Sequence, residues 1–446
     1  MSVSQTKLPI DAEPTKDFFV EMLTKDIALE QAVLDLVDNS VDGAKALKSS
    51  NPKLPFDGRE IQIKFSKEKF EIFDNCGGFD SEAARTYAFR FGRPQGGQSR
   101  TPHSIGQFGV GMKRALFKFG NRFIVRSATT SDSWAVDVNV KEWEVQEGWS
   151  FPWATYLADN KISNENPGTD IVVTELRPEV ASRFSTKIFE NAILAMIKSK
   201  HRQFIAGGLS ITVNNQHIDA TSLYLLVASD SKFRPGVDEY DEKDVKVRII
   251  VGVAHSAPRE AGWYVICNGR VILEADRSDT TGWGLVEEES NTIIMPSYHN
   301  QFSRFRGIVS FDSNDSALVP WNTTKTDVDK DSSIWQKTFV RMMEMMRPVI
   351  SFLNELDRDI DEHTKDSSPL LNYVSSSDSV KPEALAKADF IAPARGTIIP
   401  RTRTVKIQYS KPTEQVDFLM KELNLSSAKS VGEKTFELTY KKMVGE

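Results

Sequence analysis

The sequence has few of the features that mark secreted or membrane proteins. It contains two cysteines, Cys76 and Cys267, in 446 residues, which does not suggest a disulfide framework and favours a reducing cytosol. No apolar run approaches the roughly 18 residues that a membrane-spanning helix needs, and residues 1–17 lack the apolar core of a signal peptide. We therefore expect a cytoplasmic protein with no membrane partner.

An excess of positive charge is also missing. The formal net charge is −6 and the isoelectric point about 5.7, which argues against nucleic-acid binding by the whole surface but is compatible with a local basic patch. Hydrophobic residues make up 40% and charged residues 26%, as in an ordinary globular protein. The length is sufficient for two or three domains.

Hydrophobic patterns in the first part of the chain predict alternating helices and strands. Apolar spacing predicts helix over residues 17–47, and the alternation in EIQIKF and KFEIFD predicts a strand hairpin. A short helix around SEAARTYAF precedes FGRPQGGQSRTPHS, a glycine-rich basic stretch that is typical of a mobile lid loop. RFIVRSA, WAVDVNV and TDIVVTEL are predicted strands, before a boundary expected near Pro178.

The next part of the chain predicts a second group of strands. They follow a helix at about 185–199 and comprise LSITVN, VKVRIIVGVA, GWYVICNGRVIL and FRGIVSFD. The Asn268-Gly269 pair predicts a tight hairpin turn.

The last part predicts a long helix, a linker and a small unit. Residues 331–362 predict one helix, kinked at Pro348. Residues 363–400, rich in Ser, Pro and Lys, predict a linker. TVKIQY, TEQVDFLMKEL and KTFELTYKKM predict a strand–helix–strand unit over the final residues, 401–446.

Four polar residues share one face of the helix LDLVDNSVDGA. Helical spacing places Asp35, Asp38, Asn39 and Asp42 within one arc, opposite the apolar residues. A solvated acidic face is the usual meaning of such a stripe. However, the amide oxygen of Asn39 suits Mg²⁺, which prefers oxygen ligands. Asp35, one turn earlier, has the position of a carboxylate that orients a water toward a phosphate.

Asp74 ends a predicted strand in IFDNCGGF, directly before a glycine pair. A carboxylate there can accept a hydrogen bond from an amine such as the exocyclic group of adenine, and glycines let a flat base approach the backbone. A plain tight turn, in which Asp74 caps its own backbone, is the alternative.

Three glycines, Gly106, Gly109 and Gly111, precede a helix in GQFGVGMK. The backbone N–H groups of such a turn and the positive end of the helix suit phosphate, and Lys113 adds a charge in the first turn. A glycine-rich loop alone is a weak signal, and this one lacks the GK[ST] of a Walker pattern. The order strand–loop–helix nevertheless fits a phosphate cradle.

The motifs occur in a recognisable series. DNSVDGA, DNCGGF and GQFGVGMK follow in this order around the lid-like stretch, and Gly168-Thr169 opens the strand DIVVTEL. The series resembles the signature motifs of the GHKL ATP-binding proteins, which include gyrase B subunits, MutL-type mismatch-repair proteins, MORC proteins and ATP-driven heat-shock chaperones. The four motifs cover roughly residues 25–176.

This resemblance implies a role for each matching residue, with ATP and Mg²⁺ as the bound cofactors. Asn39 matches the Mg²⁺ ligand, Asp74 the adenine anchor and Gly78 a residue that shapes the base pocket, while Thr169 lies near the adenine. The phosphate-binding segment implied by the resemblance comprises Gly106, Gln107, Phe108, Gly109, Val110 and Gly111, followed by Lys113.

Two positions depart from the family pattern. The family usually has a glutamate as general base four residues before the metal asparagine, and here that residue is Asp35, one methylene shorter. Because reach decides whether a base can act, slow hydrolysis is expected. The first glycine of the family's D-x-G-x-G is Cys76, a small residue that suits a buried position.

The resemblance continues after the ATPase motifs. Residues 179–330 resemble the transducer domain of gyrase, MutL and MORC proteins: GWYVICNGRVIL is similar to their NGR hairpin, and WNTTKTDVD to the loop whose lysine reaches the γ-phosphate. The resemblance implies that Lys325 senses ATP and stabilises charge during hydrolysis. A surface lysine in a loop is the alternative.

The fold class implied by the resemblance is α/β (α+β). It comprises a Bergerat-fold α/β sandwich ATPase domain at residues 1–178, a transducer-like α/β domain at 179–330, the long helix at 331–362, the linker at 363–400 and a small C-terminal α/β module at 401–446.

The implied function is a slow, Mg²⁺-dependent ATPase. In the family, ATP closes the lid and brings two N-terminal domains together, so we expect an ATP-dependent homodimer that acts as a clamp on DNA or on a protein partner. Some similar stand-alone bacterial proteins occur in phage defence, which suggests genome defence by analogy alone. Because Asp35 is shorter than glutamate, a nucleotide-gated dimerisation switch or chaperone-like binding module with negligible hydrolysis is the alternative.

Overall fold

Two units of unequal size make up the chain, residues 1–395 and residues 396–446. The structure, a computed structural model, describes residues 15–25, 27–90, 102–106, 111–156, 161–286, 294–363, 368–393 and 407–445. None of the described helices is long and apolar enough to cross a membrane.

An eight-stranded sheet organises the first part of the larger unit. Its strands are β1 (Glu60–Phe65), β2 (Phe70–Asp74), β3 (Gly120–Ala128), β4 (Ser133–Asn139), β5 (Trp153–Ala154), β6 (Gly168–Leu176), β7 (Ser210–Val213) and β8 (Gln216–His217). The order is β5-β4-β3-β6-β2-β1-β7-β8, antiparallel except for the β1–β7 pair. The predicted hairpin is confirmed, because β1 and β2 pair with Ile61 opposite Asp74.

Helices pack together beside this sheet. They are α1 (Lys16–Lys25), α2 (Leu29–Ala46), α3 (Ser81–Ala83), α4 (Gly111–Phe119), α5 (Val140–Val145), α6 (Pro178–Phe184), α7 (Lys187–Lys200) and α8 (Arg202–Ala206), with a π-helical turn at Ala84–Ala88. The predicted helical stretch 17–47 is thus two helices, α1 and α2, and α4 packs against both. The apolar side of α2, including Leu34, Val37 and Val41, is fully buried in the core.

A second sheet follows in the larger unit. The remaining strands of the unit are β9 (Leu225–Val227), β10 (Gly236–Glu242), β11 (Val245–Val253), β12 (Gly262–Cys267), β13 (Arg270–Asp276), β14 (Phe305–Ser313) and β15 (Asp378–Val380), with 3-10 turns at Asp279–Thr281, Asn300–Phe302 and Pro382–Ala384. The second sheet has five of these strands, in the order β10-β11-β14-β12-β13. The predicted hairpin turn is confirmed: φ is 48° at Asn268 and 84° at Gly269, both in the left-handed region that a tight hairpin turn requires.

The long predicted helix is also present, as α9 (Ser333–His363), with Pro348 inside it. It packs on β11 and β14 of the second sheet. Strands β7 and β8 belong to the first sheet although they lie after Pro178, so the first sheet uses chain from both sides of the predicted boundary. The division into domains at residue 178 remains a prediction.

The linker predicted at residues 363–400 was wrong for residues 368–393. This segment contains α10 (Pro369–Ser375) and β15, and β15 pairs with β9. Leu371 and Val374 of α10 are buried, and the carboxylate of Asp359 on α9 accepts hydrogen bonds from the Ser368 hydroxyl and the Leu370 N–H. The serines and prolines of residues 368–393 therefore cap short elements that pack on α9.

The smaller unit contains α11 (Thr413–Glu422) and α12 (Ala428–Val444). The strand predicted in KTFELTYKKM was wrong, because these residues lie within α12. Glu437 pairs with Lys434 and Lys441, three and four residues away, and such pairs stabilise a helix. Of the other predicted strand, TVKIQY, residues 404–406 lie outside the described residues and 407–409 form no strand.

Candidate nucleotide site

Asp74 lies buried at the end of β2 with three hydrogen-bond donors around its carboxylate. The Ser40 hydroxyl donates to Oδ2 at 2.6 Å, the Cys76 N–H donates to Oδ1 at 2.9 Å, and the Thr169 N–H donates as well. Burial raises the pKa of Asp74 to about 6, although the three hydrogen bonds lower it. The structure therefore shows the backbone cap at Cys76 together with a partner on α2, which a plain turn does not need.

Gly78 lies where only a glycine fits. Its φ is +61°, and a Cβ there would lie 2.2 Å from the Ala128 carbonyl oxygen and 2.7 Å from that of Gly168. Neighbouring Cys76 is buried and unpaired, and burial raises the pKa of its thiol far above the ordinary value. Cys76 is thus a small buried side chain, while Gly78 keeps the backbone of β3 and β6 close to the turn after Asp74.

The carboxylates on the polar face of α2 are mostly buried rather than solvated. Asp35 and Asp38 are 2% and 0% exposed, whereas Asn39 is exposed. The carboxylate of Asp42 accepts hydrogen bonds from the N–H groups of Ile105 and Gly106 at 2.7 Å. The usual meaning of an acidic stripe is therefore wrong here, and α2 also holds the start of the glycine-rich segment in place.

Asp38 is surrounded by side chains from distant parts of the sequence. Its Oδ1 contacts the Nε2 of His201 at 2.9 Å and accepts from the Nε of Arg270 at 2.8 Å, and its Oδ2 accepts from the Nζ of Lys325 at 2.8 Å. Burial raises the pKa of Asp38, but Arg270, Lys325 and His201 together outweigh it and hold the pKa well below the ordinary value. Burial lowers the pKa of His201.

Asp35 is held on both carboxylate oxygens. Arg114 of α4 donates to Oδ2 at 2.8 Å, and the Gln31 amide donates to Oδ1 at 3.3 Å. The Nζ of Lys325 lies 3.6 Å from Oδ1. A Cβ on Gly111 would lie 3.2 Å from this carboxylate, so the glycine lets the first turn of α4 approach Asp35 closely.

Only part of the predicted phosphate-binding segment lies among the described residues. Gly106 and Gly111 lie near α2, next to Asp42 and Asp35, whereas Gln107, Phe108, Gly109 and Val110 lie outside the described residues. Lys113 is buried, and its amine donates to the Ala88 carbonyl oxygen at 2.6 Å. The predicted role of Lys113 on phosphate remains a prediction, and its observed contact is with the end of the π-helical turn.

Lys325, predicted from the loop WNTTKTDVD, is buried and reaches Asp38 on α2, so the alternative of a surface lysine was wrong. The pattern missed its neighbours Arg114, His201 and Arg270. Arg270 stands in the NGR motif, which was a usable signal, while Arg114 and His201 carry no motif.

Two carboxylates, Asp35 and Asp38, face three cations, Arg114, Arg270 and Lys325. With His201 neutral, the sum of −2 and +3 leaves one positive charge, which suits a phosphate.

The residues present fit a magnesium ion shared with phosphate. The amide of Asn39 is exposed and makes no hydrogen bond to the described residues, and its Oδ1 lies 3.7 Å from the position of a Cβ on Gly106. Within the described part of the chain, no group of three or more His, Cys, Asp or Glu side chains forms a metal site. Mg²⁺ is commonly held by one or two carboxylates together with substrate phosphates and water, so the Asn39 amide oxygen can supply one protein ligand beside the phosphates.

Comparison with known families agrees with this geometry. Residues 27–169 match the family described as histidine kinase-, DNA gyrase B-, and HSP90-like ATPase. No curated protein matches the chain. The matched segment includes α2, Asp74, the glycine-rich turn and Thr169, whereas Arg270 and Lys325 lie after it. Residues 27–169 therefore form an ATPase domain of the GHKL superfamily.

Proposed function

We propose that the protein binds ATP with Mg²⁺ and hydrolyses it slowly, and that ATP closes the lid and joins two N-terminal domains into a clamp on DNA or a partner protein. The observation that carries this proposal is the contact between Lys325 and the Asp35–Asp38 face of α2. A lysine from beyond the ATPase segment completes the site. A change at the nucleotide can therefore be passed to the second sheet.

In this proposal, identified residues bind each part of the nucleotide and its metal ion. The ionised carboxylate of Asp74 accepts a hydrogen bond from the adenine amine, and Gly78 leaves room for the base. The amide oxygen of Asn39 holds Mg²⁺, which offsets negative charge on the phosphates when bound. The backbone of Gly106 to Gly111 surrounds the phosphates, while the Gly106 N–H itself is held by Asp42.

Hydrolysis requires two further groups. Asp35 orients the attacking water, and Lys325 stabilises the negative charge that develops on the γ-phosphate. The extra positive charge of the buried cluster supports this assignment, since it is left over after both carboxylates are paired. No covalent intermediate is needed.

One observation favours the alternative of a switch with negligible hydrolysis. Asp35 is one methylene shorter than the family's glutamate, and both of its oxygens already accept hydrogen bonds, from Arg114 and Gln31. A base held in this way must give up one partner before it can orient water. In that case ATP binding alone would drive dimerisation.

Steady-state phosphate release by wild type, Asp35→Asn and Asp35→Glu separates the two functions. The asparagine variant keeps the size of the side chain, and nucleotide binding is measured in parallel for all three proteins. Asp137→Asn is the matched control, because Asp137 also pairs with an arginine, Arg122, but lies on β4 away from the site. Turnover by wild type and the control, with ATP binding but no turnover in Asp35→Asn, supports the ATPase.

Three other outcomes would contradict parts of this proposal. If wild type binds ATP but shows no turnover with or without DNA, while Asp35→Glu gains turnover, the switch replaces the ATPase. If wild type does not bind ATP, both functions fail. Sedimentation of wild type with ADP and with a non-hydrolysable ATP analogue tests dimerisation, and a sedimentation coefficient that does not change removes the clamp.

A further inference from the structure

Arg270 joins three separate parts of the structure through one side chain. It is the first residue of β13, directly after the Asn268-Gly269 turn, and is fully buried. Its Nε donates to Asp38 Oδ1 at 2.8 Å, and its Nη1 donates to the Lys325 carbonyl oxygen at 2.8 Å. The same guanidinium thus holds the carboxylate on α2 and the backbone of the lysine that pairs with it.

The backbone of Lys325 needs such support. Its φ is +56°, in the left-handed region that a residue with a side chain rarely adopts without help from its surroundings. The loop is closed by a bridge between Trp321 and Val328 and by a hydrogen bond from the Lys325 N–H to the Asn322 carbonyl oxygen at 3.0 Å. The carbonyl of Lys325 is anchored by Arg270, which fixes the direction in which the lysine side chain leaves the loop.

We propose that Arg270 is the positioning residue of Lys325: it holds the lysine toward α2 and takes over Asp38 when the lysine turns to the γ-phosphate. This inference rests on the proposed function, in which Lys325 contacts that phosphate. It assigns the NGR hairpin a task in distinguishing ATP from ADP.

A spare donor on Arg270 makes the exchange feasible. Its Nη2 is buried and has no hydrogen-bond partner among the described residues. In an arginine, Nε and Nη2 point to the same side, and together they form the two-point pair with a carboxylate. Asp38 Oδ1 already accepts from Nε, whereas Oδ2 is held by Lys325. When Lys325 leaves, Oδ2 becomes free for Nη2, so the buried carboxylate keeps a partner on each oxygen.

Nucleotide affinities in a double-mutant cycle test this assignment. ATP and ADP dissociation constants are measured with Mg²⁺ for wild type, Arg270→Lys, Lys325→Met and the double variant. Arg270→Lys keeps the charge next to Asp38 but cannot span to the Lys325 carbonyl. We expect each single variant to weaken ATP binding by about tenfold, the size of one charged hydrogen bond, and to leave ADP binding nearly unchanged. The double variant should then resemble Lys325→Met, since Arg270 acts through the lysine.

A second buried arginine serves as the control. Arg306 on β14 is also almost fully buried, and it bonds to the carbonyl groups of Ser303 and Phe305, away from α2. Arg306→Lys should leave the ratio of ATP to ADP affinity unchanged. An equal loss of that ratio in Arg306→Lys would mean that general loosening is the cause and would overturn the inference.

The remaining outcomes also test whether Arg270 positions Lys325. Additive losses in the double variant, or equal weakening of ATP and ADP by Arg270→Lys, would show a structural role and overturn the inference. If wild type binds ATP but Lys325→Met keeps its preference for ATP, the inference fails while ATP binding stands. If wild type binds neither nucleotide, the proposed function fails with it. Should Arg270→Lys not fold, the affinities are measured for Asp38→Asn, which keeps the bond from Arg270 to the Lys325 carbonyl; a retained preference for ATP supports the inference, and a loss as large as in Lys325→Met would overturn it.

Discussion

Replacing Asp74 with asparagine should make the protein more stable at neutral pH and unable to hold ATP. Burial raises the pKa of this carboxyl from the ordinary 3.8 to about 6. A tenfold change in an acid dissociation constant corresponds to about 1.4 kcal/mol, so the ionised carboxylate costs the native state about 3 kcal/mol. Asparagine has the same shape without the charge and keeps an acceptor for the Cys76 N–H.

The dependence on pH follows from this raised pKa. Between pH 3.8 and about 6 the native state binds more protons at Asp74 than the unfolded state, so the contribution of Asp74 to stability falls as the pH rises through this window. The advantage of Asp74→Asn over wild type should therefore grow by about 2 kcal/mol between pH of about 4.5 and about 8. In the proposed function adenine binds to the ionised form of Asp74, so the ATP affinity of wild type should rise over the same window.

Urea unfolding at the two pH values, with isothermal titration of ATP into both proteins, measures these effects. Asp137→Asn, at a partly exposed position on β4, is the control and should show no such gain. A stability difference between Asp74→Asn and wild type that is the same at both pH values would refute the burial argument. Wild-type ATP affinity in Asp74→Asn would refute the adenine anchor.

Three further results are expected. Gly78→Ala should cost about 3 kcal/mol or more in thermal unfolding, because its Cβ meets a carbonyl oxygen at 2.2 Å, whereas Gly58→Ala, also at positive φ but with nothing within 4 Å, should cost only about 1 kcal/mol; equal costs would contradict this. Lys325→Met should lower the free energy of unfolding by about 2 kcal/mol in urea titration, less than the roughly 3–5 kcal/mol of an uncompensated buried pair, because Asp35 and Asp38 lose a nearby cation while the free Nη2 of Arg270 can replace the lysine on Asp38; no loss would mean that the pair is weak. Cys76 and Cys267 are buried, and burial raises the pKa of both thiols, so neither should react with a thiol reagent before the protein unfolds; fast labelling of the native protein would contradict this.

Local patterns were sufficient to predict much of the fold. Alternation predicted β1 and β2, and the Asn268-Gly269 pair predicted the hairpin of the second sheet, because each depends on neighbours in sequence. The strand predicted in KTFELTYKKM was wrong for a related reason. Alternating apolar residues occur there, but the described part of its unit contains no strand for it to pair with, and charged pairs along α12 favour a helix.

The site was predictable only in part, because its partners lie far apart in the chain. The motif around Asn39 predicted a functional face on α2, and the family resemblance of its loop predicted a role for Lys325. The environment of Asp38 was not visible in the sequence, since His201 and Arg270 lie 163 and 232 residues away from it. A row of carboxylates on one helix face predicts a solvated surface, because the distant residues that bury the carboxylates cannot be identified from the sequence.

The 287 residues between Asp38 and Lys325 also set an order of events during synthesis. At roughly 5–20 residues per second, the ribosome needs about 15 to 60 s to make the chain between them. Until then a nascent chain that has already formed α2 lacks two of the cations, Arg270 and Lys325, that surround Asp38 in the finished protein. Translation thus delays completion of this site until nearly three quarters of the chain exists, and a fragment that ends before Arg270 leaves the Asp38 carboxylate without both of these cations.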